Sequence, residues 1–398
     1  MTERRYRVLA VASHPVQYMA PIYRRMASHP RLELQVAFCT LRGAEDGYDT
    51  EFGRNVKWDV PVLEGYSWVH VANKGPGDES FFGLNNPGLW SLIRDGRFDA
   101  VLAFTGYRRA SFWIAWWRAR LSGIAFLFGT DAASLDSRDS KSWKRSFKRL
   151  SWPLLYRLAT HVIVPSTATR DLMISLGLPA ERVTLTPYSV DNDWWFAQSA
   201  AVDRAAVRNS WRVPVDAMVV LFCAKLQPWK RPMDLLRAFA MARLEDSYLI
   251  FAGTGAQKEE LESEAASMGV TDRVRFLGFV NQTQLPGVYA SADLMVLPSE
   301  YEPFAVVVNE AYCCGCPVVV SDRVGAGPDL VAPVDPNLIY RCGDVSGLAA
   351  LLKSLILDSD RRAALGEAVR ARIREWSPEA NVSAVVTALD KAVDRQEL

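Results

Sequence analysis

An α/β protein with two parallel-sheet domains in tandem is the fold class the sequence predicts. Three observations predict it. The chain has 398 residues, more than one core usually holds. Short apolar runs alternate with helical stretches, the pattern of parallel strands joined by crossovers. That alternation occurs twice, with one break between the two series.

The first series opens with "YRVLAVAS" at 6–13, read as a buried strand, followed by "PVQYMAPIYRRMAS" as a helix. "LELQVAFCT" at 32–40, "FDAVLAFTG" at 98–106, "IAFLFGT" at 124–130 and "THVIVPS" at 160–166 continue the strands. "FWIAWWRAR" at 112–120 reads as a core helix with a charged end. The stretch "DNDWWFAQSAAVDRAAVRNSWRVP" breaks the pattern and places the boundary near 190–212. The second series runs through "MVVLFCAKL" at 218–226, "SYLIFAGTG" at 247–255, "VRFLGFV" at 274–280, "ADLMVLPS" at 292–299, "CPVVVSD" at 316–322 and "NLIYRCGD" at 337–344. The expected division is 1–195, 196–375 and a final helix at 376–398.

Composition is that of a globular protein, 49% hydrophobic and 23% charged, so both domains have material for a core. A net charge of +1 gives no global case for a nucleic-acid partner. The apolar run at 8–12 is too short for a signal-peptide core, and no run approaches a spanning helix. A cytoplasmic location is the expectation. Cys313, Cys314 and Cys316 cluster without a second Cys or His group, so they read as small packing residues and no metal site is expected.

In such sheets ligands sit beyond the carboxyl ends of the strands. Lys225 ends a strand and Lys230 precedes a helix that opens on Pro232, an anion site or a solvated basic turn. Gly253 and Gly255 let backbone approach a ligand, or mark a strand-to-helix turn. Glu302 stands in the loop before an apolar helix and Glu310 lies within it. A carboxylate there can accept two hydroxyls of a ribose or sugar. Amides near Phe304 and Ala305 would face a phosphate. Read as surface charge, Glu310 keeps poor company among Val306, Val307, Val308, Ala311 and Tyr312.

The strings "KLQPWK", "FAGTG", "VRFLGFV", "ADLMVLPSEYEPFAVVVNEAYCCGCPVVVSD" and "GAGPDLV" resemble, in order and spacing, the retaining nucleotide-sugar glycosyltransferases of family four. The resemblance covers most of the second domain and, more loosely, the first. It implies the GT-B fold, two Rossmann-like domains facing across a cleft, with a C-terminal helix that crosses back at Trp376-Ser377. It implies Lys225 and Lys230 on the donor diphosphate, Glu310 on the ribose, Glu302 on the donor sugar, Phe304 and Ala305 beside the phosphates, and Leu277 near the base. The implied activity moves a sugar from a nucleoside-diphosphate sugar to a hydroxyl acceptor (a glycan, a lipid-linked molecule or a small molecule) with retention. No cofactor or metal is implied, and the sequence has no D-x-D loop in place. Front-face attack, with the leaving phosphate taking the acceptor proton, is the family's usual account. An epimerase on a similar fold and a non-catalytic nucleotide-sugar-binding protein are the competing readings.

The chain departs from the family's pattern at several positions. Lys225 replaces a common Arg, and Pro303 and Ala305 replace glycines. "SHPVQY" replaces a glycine-rich loop, leaving Ser13, His14 and Gln17 as acceptor-side candidates. "FTGYRRAS" lacks a His common at a comparable strand end. Asp131 either orients an acceptor hydroxyl or caps a helix. Finally, 137–158 is basic and aromatic, with 143, 147, 150 and 154 on one face and Pro153 as an interruption. It would lie on anionic lipid at the inner face of the membrane, or pack its stripe on the first domain; packing is the favoured expectation.

Overall fold

The computed structural model describes residues 4–45, 47–49, 54–136 and 142–397. The strands are, in order, β1 (Tyr6–Ala12), β2 (Leu32–Phe38), β3 (Gly47–Asp49), β4 (Arg54–Val56), β5 (Ser67–His70), β6 (Ala100–Ala103), β7 (Ala125–Gly129), β8 (His161–Val164) and β9 (Val183–Leu185). There follow β10 (Met218–Cys223), β11 (Ser247–Ala252), β12 (Val274–Gly278), β13 (Leu294–Leu297), β14 (Val318–Ser321) and β15 (Ile339–Tyr340). The chain forms two compact units. The first holds the described residues of 4–47, Val56–Ser189 and 377–397; the second holds Val190–Trp376 with the described residues of 48–55.

In the first unit a seven-stranded parallel sheet runs β5-β2-β1-β6-β7-β8-β9. β1 is buried on both faces, as its nearly continuous apolar sequence requires. Leu9 and Val11 face one cluster with Phe112, Phe126 and Tyr156. Val8, Ala10 and Ala12 face the other, where the helix Pro378–Glu397 contributes Val382, Val385, Leu389 and Val393. Asp390 on that helix accepts from Tyr6 Oη at 2.6 Å and pairs with Arg31, tying the end of the chain to β1 and β2. The short strand β5 escapes a sequence reading because it is an edge strand whose side chains are mostly exposed, leaving no apolar run.

In the second unit a six-stranded parallel sheet runs β12-β11-β10-β13-β14-β15. β10, β11 and β13 are nearly all buried, and Phe222, Phe251 and Phe276 form a run of ring contacts across the first three strands. The reading of "NLIYRCGD" as a strand reduces to the two residues of β15. All six cysteines are unbridged; Cys313, Cys314 and Cys316 are buried, and burial pushes their thiols well up from the usual range.

Three expectations for the first unit change. The stretch 131–136 after β7 is irregular, so Asp131 caps no helix among the described residues. The helix Ser142–Arg157 runs through Pro153 without a break. Its stripe at Trp143, Phe147, Leu150 and Leu154 is exposed, and a different pair, Trp152 and Tyr156, packs on the sheet. The part of that segment at 137–141 lies outside the described residues.

Candidate active site

The strand order of the second sheet reverses between β10 and β13, and loops leaving such a pair part to make a crevice. Lys225 and Lys230 follow β10; Glu300 and Glu302 follow β13. The topology therefore places on adjacent loops cations and carboxylates that lie seventy or more residues apart in sequence.

Each acid in this region has its own partner. Glu300 accepts from Arg231 Nη1 at 3.1 Å, while Arg231 Nε donates to Asp234 at 2.7 Å. Arg231 is thereby turned toward the start of the helix Pro232–Ala242, where it sits in the left-handed region at φ 51°. Glu302 pairs with Lys230; their side chains are only 13% and 17% exposed. Glu310 is 4% exposed on the helix Val306–Cys313. Its Oε2 accepts from Tyr289 Oη at 2.8 Å and its Oε1 from Gln282 Nε2 at 3.4 Å. Burial pushes the Glu310 carboxyl up to about 7, against the opposing pull of those two donors. Tyr289 and Gln282 carry no motif, and only the fold reveals them as Glu310's partners.

That shift has a measurable consequence. Below pH 4.5 Glu310 is protonated in folded and unfolded chain alike. Between 4.5 and about 7 the unfolded chain releases the proton while the folded one holds it, so stability falls as pH rises. Above that window the full cost of about 3 kcal/mol is present. Glu310→Gln should remove this slope. In urea unfolding the variant should gain on wild type from pH 5 to pH 8; equal slopes would refute the assignment.

The loop carrying Glu302 is held from behind. Gly325 N–H donates to Glu302 O at 2.9 Å and Ala326 N–H to Phe304 O at 2.8 Å. Phe304 is buried and stacks on Trp376 with centroids 6.4 Å apart. Ala305 then takes φ 92°, ψ 73°, a left-handed conformation that favours glycine, and the helix Val306–Cys313 starts from it. Val308 N–H donates to Ala305 O at 3.0 Å, and the amides of Val306 and Val307 ahead of it belong to the helix start, where no acceptor lies within the helix.

Gly253 and Gly255 follow β11, and their role is more specific than open approach to a ligand. A Cβ on either would overlap the main chain of residues 224–226. Leu226 N–H donates to Thr254 O at 2.9 Å, and Gly253 N–H to Gly278 O at 2.8 Å. The glycines thus let the β11 loop pass against the loop that carries Lys225. Leu277 on β12 lines a cavity of about 620 Å³ with Trp211, Val280, Thr283 and Pro286. Lys225, Lys230, Glu302 and Glu310 do not line it.

In the first unit the strand order reverses between β1 and β6. Ser13 and His14 follow β1, with Ser13 Oγ 2.9 Å from His14 Nδ1. Both line a cavity of about 400 Å³ with Thr40, Arg42, Tyr107 and Arg108. Gln17 does not line it; its Oε1 is buried without a hydrogen-bond partner. Asp131 is exposed, and its charge helps raise the phenol of the half-buried Tyr18, which desolvation chiefly pushes up to about 12. Arg42, Tyr107 and Arg108 belong to no motif, and only the sheet order brings them beside Ser13 and His14. Among the described residues no group of three or more His, Cys, Asp or Glu is arranged to hold a metal ion.

Comparison with known proteins gives this arrangement a class. The family profile described as "Glycosyl transferases group 1" matches residues 203–372, and "Glycosyl transferase 4-like domain" matches 15–189. A crystal structure of Anabaena Alr3699/HepE in complex with UDP superposes with a TM-score of 0.72 at 20% identity, covering 96% of this chain and 99% of that one. WaaG, a glycosyltransferase involved in lipopolysaccharide biosynthesis, superposes at 0.64 and 16% identity, covering 97% and 98%. Two parallel-sheet units of this kind are the GT-B fold. The chain belongs to the group 1, GT4-type glycosyltransferase family. A D-inositol 3-phosphate glycosyltransferase of Xylanimonas cellulosilytica is 30% identical over 60% of this chain and 58% of its own. One from Corynebacterium jeikeium is 29% identical over 70% and 68%. The matched part of the chain spans about half the length of the first of these curated relatives.

Proposed function

We propose that this protein transfers a sugar from a nucleoside-diphosphate sugar to a hydroxyl acceptor with retention of anomeric configuration. The observation that carries the reading is the pairing of Lys230 with Glu302 at the switch point of the second sheet, with Lys225 on the same loop after β10 and the helix Val306–Cys313 starting just after Glu302. Lys225 and Lys230 hold the diphosphate, Glu302 takes a hydroxyl of the donor sugar, and Glu310 takes the ribose hydroxyls. Phe304 and Ala305 set the turn beside the phosphates. Gly253 and Gly255 shape the Lys225 loop, and Leu277 lies on the base side. A HepE neighbour that binds UDP-glucose makes a uridine donor the first to try.

The chemistry follows from charge. Cleavage of the bond between the anomeric carbon and the phosphate oxygen leaves positive charge on carbon and negative charge on the nucleotide. Lys225, Lys230 and the helix-start amides stabilise the second. The acceptor oxygen attacks from the same face, and its proton passes to a leaving phosphate oxygen. No metal is required for this charge balance. Ser13, His14 and Gln17 act on the acceptor side, and Asp131 orients the acceptor hydroxyl. Bacterial glycan or glycolipid assembly at the cytoplasmic side is the setting this chemistry suits. Among the described residues no helix is long and apolar enough to cross a membrane.

Proton NMR of the products made from the bound donor tests the reading. The expected product is a new glycoside with the donor's own anomeric configuration and one equivalent of nucleoside diphosphate. An inverted glycoside would refute retention. A donor recovered with an altered sugar and no transfer would replace the reading with epimerisation.

A further inference from the structure

The helix Ser142–Arg157 has two apolar faces, and only one meets the protein. Trp152 and Tyr156 are buried, with Trp152 Nε1 donating to Tyr107 Oη at 3.0 Å and the Tyr156 ring 5.1 Å from that of Phe128. On the other face Trp143 is 63% exposed, Phe147 63%, Leu150 76% and Leu154 65%. Leu158, one turn on, is 42% exposed. At ~100° per residue the four helical positions fall within an arc of about 60°. A soluble surface tolerates single exposed apolar side chains; a narrow stripe of four large ones in sixteen residues is a different object.

The charges around the stripe are of one sign. The helix holds Lys144, Arg145, Lys148, Arg149 and Arg157 and no acid. Lys148 donates to the carbonyls of Leu135 and Asp136, and Arg145 lies 3.8 Å from Asp136, so these two face the body of the unit. Lys144 lies about 60° beyond one edge of the stripe and Arg157 about 20° beyond the other, with Arg149 further round the same side. The packing of Trp152 and Tyr156 fixes the helix with this stripe outward.

We propose that this face docks the protein on an anionic lipid bilayer. Trp143, Phe147, Leu150 and Leu154 enter the boundary between headgroups and acyl chains, and Lys144, Arg149 and Arg157 meet the anionic headgroups. The helix then lies in the plane of the interface, where an indole ring is well suited. The proposal rests on this face alone and stands apart from the transfer reading, because lipid binding is read without donor or acceptor.

The test is co-sedimentation of the full chain with vesicles of phosphatidylcholine alone, or of phosphatidylcholine and phosphatidylglycerol in about equal parts. Wild type should partition onto the mixed vesicles and not the neutral ones, and high salt should weaken it. Phe147→Ser with Leu150→Ser should lower the partition coefficient about tenfold or more. Lys144→Gln with Arg149→Gln should lower it about fivefold per charge. All four side chains are largely outside the core, so thermal melting should be unchanged and loss of fold is distinguishable from loss of docking. Wild type left in the supernatant with both vesicles would overturn the proposal, as would equal sedimentation of the Phe147→Ser/Leu150→Ser variant. A dimer in sedimentation velocity that this variant dissolves, without vesicle binding, would assign the face to a second copy of the chain instead.

Discussion

Lys230→Ala is expected to weaken nucleoside-diphosphate binding about 100-fold, the scale on which loss of one partner of a hydrogen-bonded charge pair acts. Glu302 holds Lys230 in a partly enclosed setting. That pairing has two effects. It fixes the ammonium where the proposed donor diphosphate would meet it, and it makes Glu302 depend on its partner. Removing Lys230 therefore strands a carboxylate that is largely out of water, which should also lower stability by about 1–3 kcal/mol. The double variant Lys230→Met/Glu302→Gln separates the effects. It removes both charges, so stability should recover while nucleotide affinity should not. Calorimetric titration beside urea unfolding reads the two together. Recovery of affinity in the double variant would mean that Lys230 serves only to neutralise Glu302.

Gly325→Ala should be strongly destabilising, costing about 3 kcal/mol or more. A Cβ at this position would overlap the carbonyl of Pro303 and press on Phe304. Backbone, not a flexible side chain, stands in the way. The same residue donates its amide to Glu302 O, so the loop cannot yield without releasing the carboxylate it presents. Neighbouring Ala305 already holds a left-handed conformation and leaves little slack. The expected result is a lower unfolding midpoint together with loss of nucleotide binding. Gly327→Ala is the control, since a Cβ there meets only the ends of Ile339 and Val320 at ordinary contact distance. Equal effects of the two substitutions would show that the Gly325 contact does not brace the loop.

Much of this could be read from the residues because strong local rules coincide. The apolar runs of β1, β10, β11 and β13 leave room for no element but a doubly buried strand. Lys225 and Lys230 follow β10, Glu302 lies in the loop after β13 and Glu310 within the helix that follows, the placements their sequence neighbours lead one to expect. Other features are set by tertiary contacts that no local pattern encodes. β5 has no apolar run because the edge of the sheet asks for none. Gly253 and Gly255 read as room for a ligand or as a strand-to-helix turn; they lie at such a turn, and the Lys225 loop packs against it. Tyr289, on the helix Leu285–Ser291, and Gln282, in the turn before it, meet Glu310 only through tertiary packing. The stripe from Trp143 to Leu154 has the period of a packed face, and periodicity cannot distinguish a core from another apolar medium.

The most direct measurement is isothermal titration of UDP, GDP and ADP, with their sugar conjugates, into wild type and Glu310→Ala. The donor-site account predicts that wild type binds one nucleoside diphosphate in preference to the others, and that the folded variant loses this binding. Folded wild-type protein that binds none of them would contradict it.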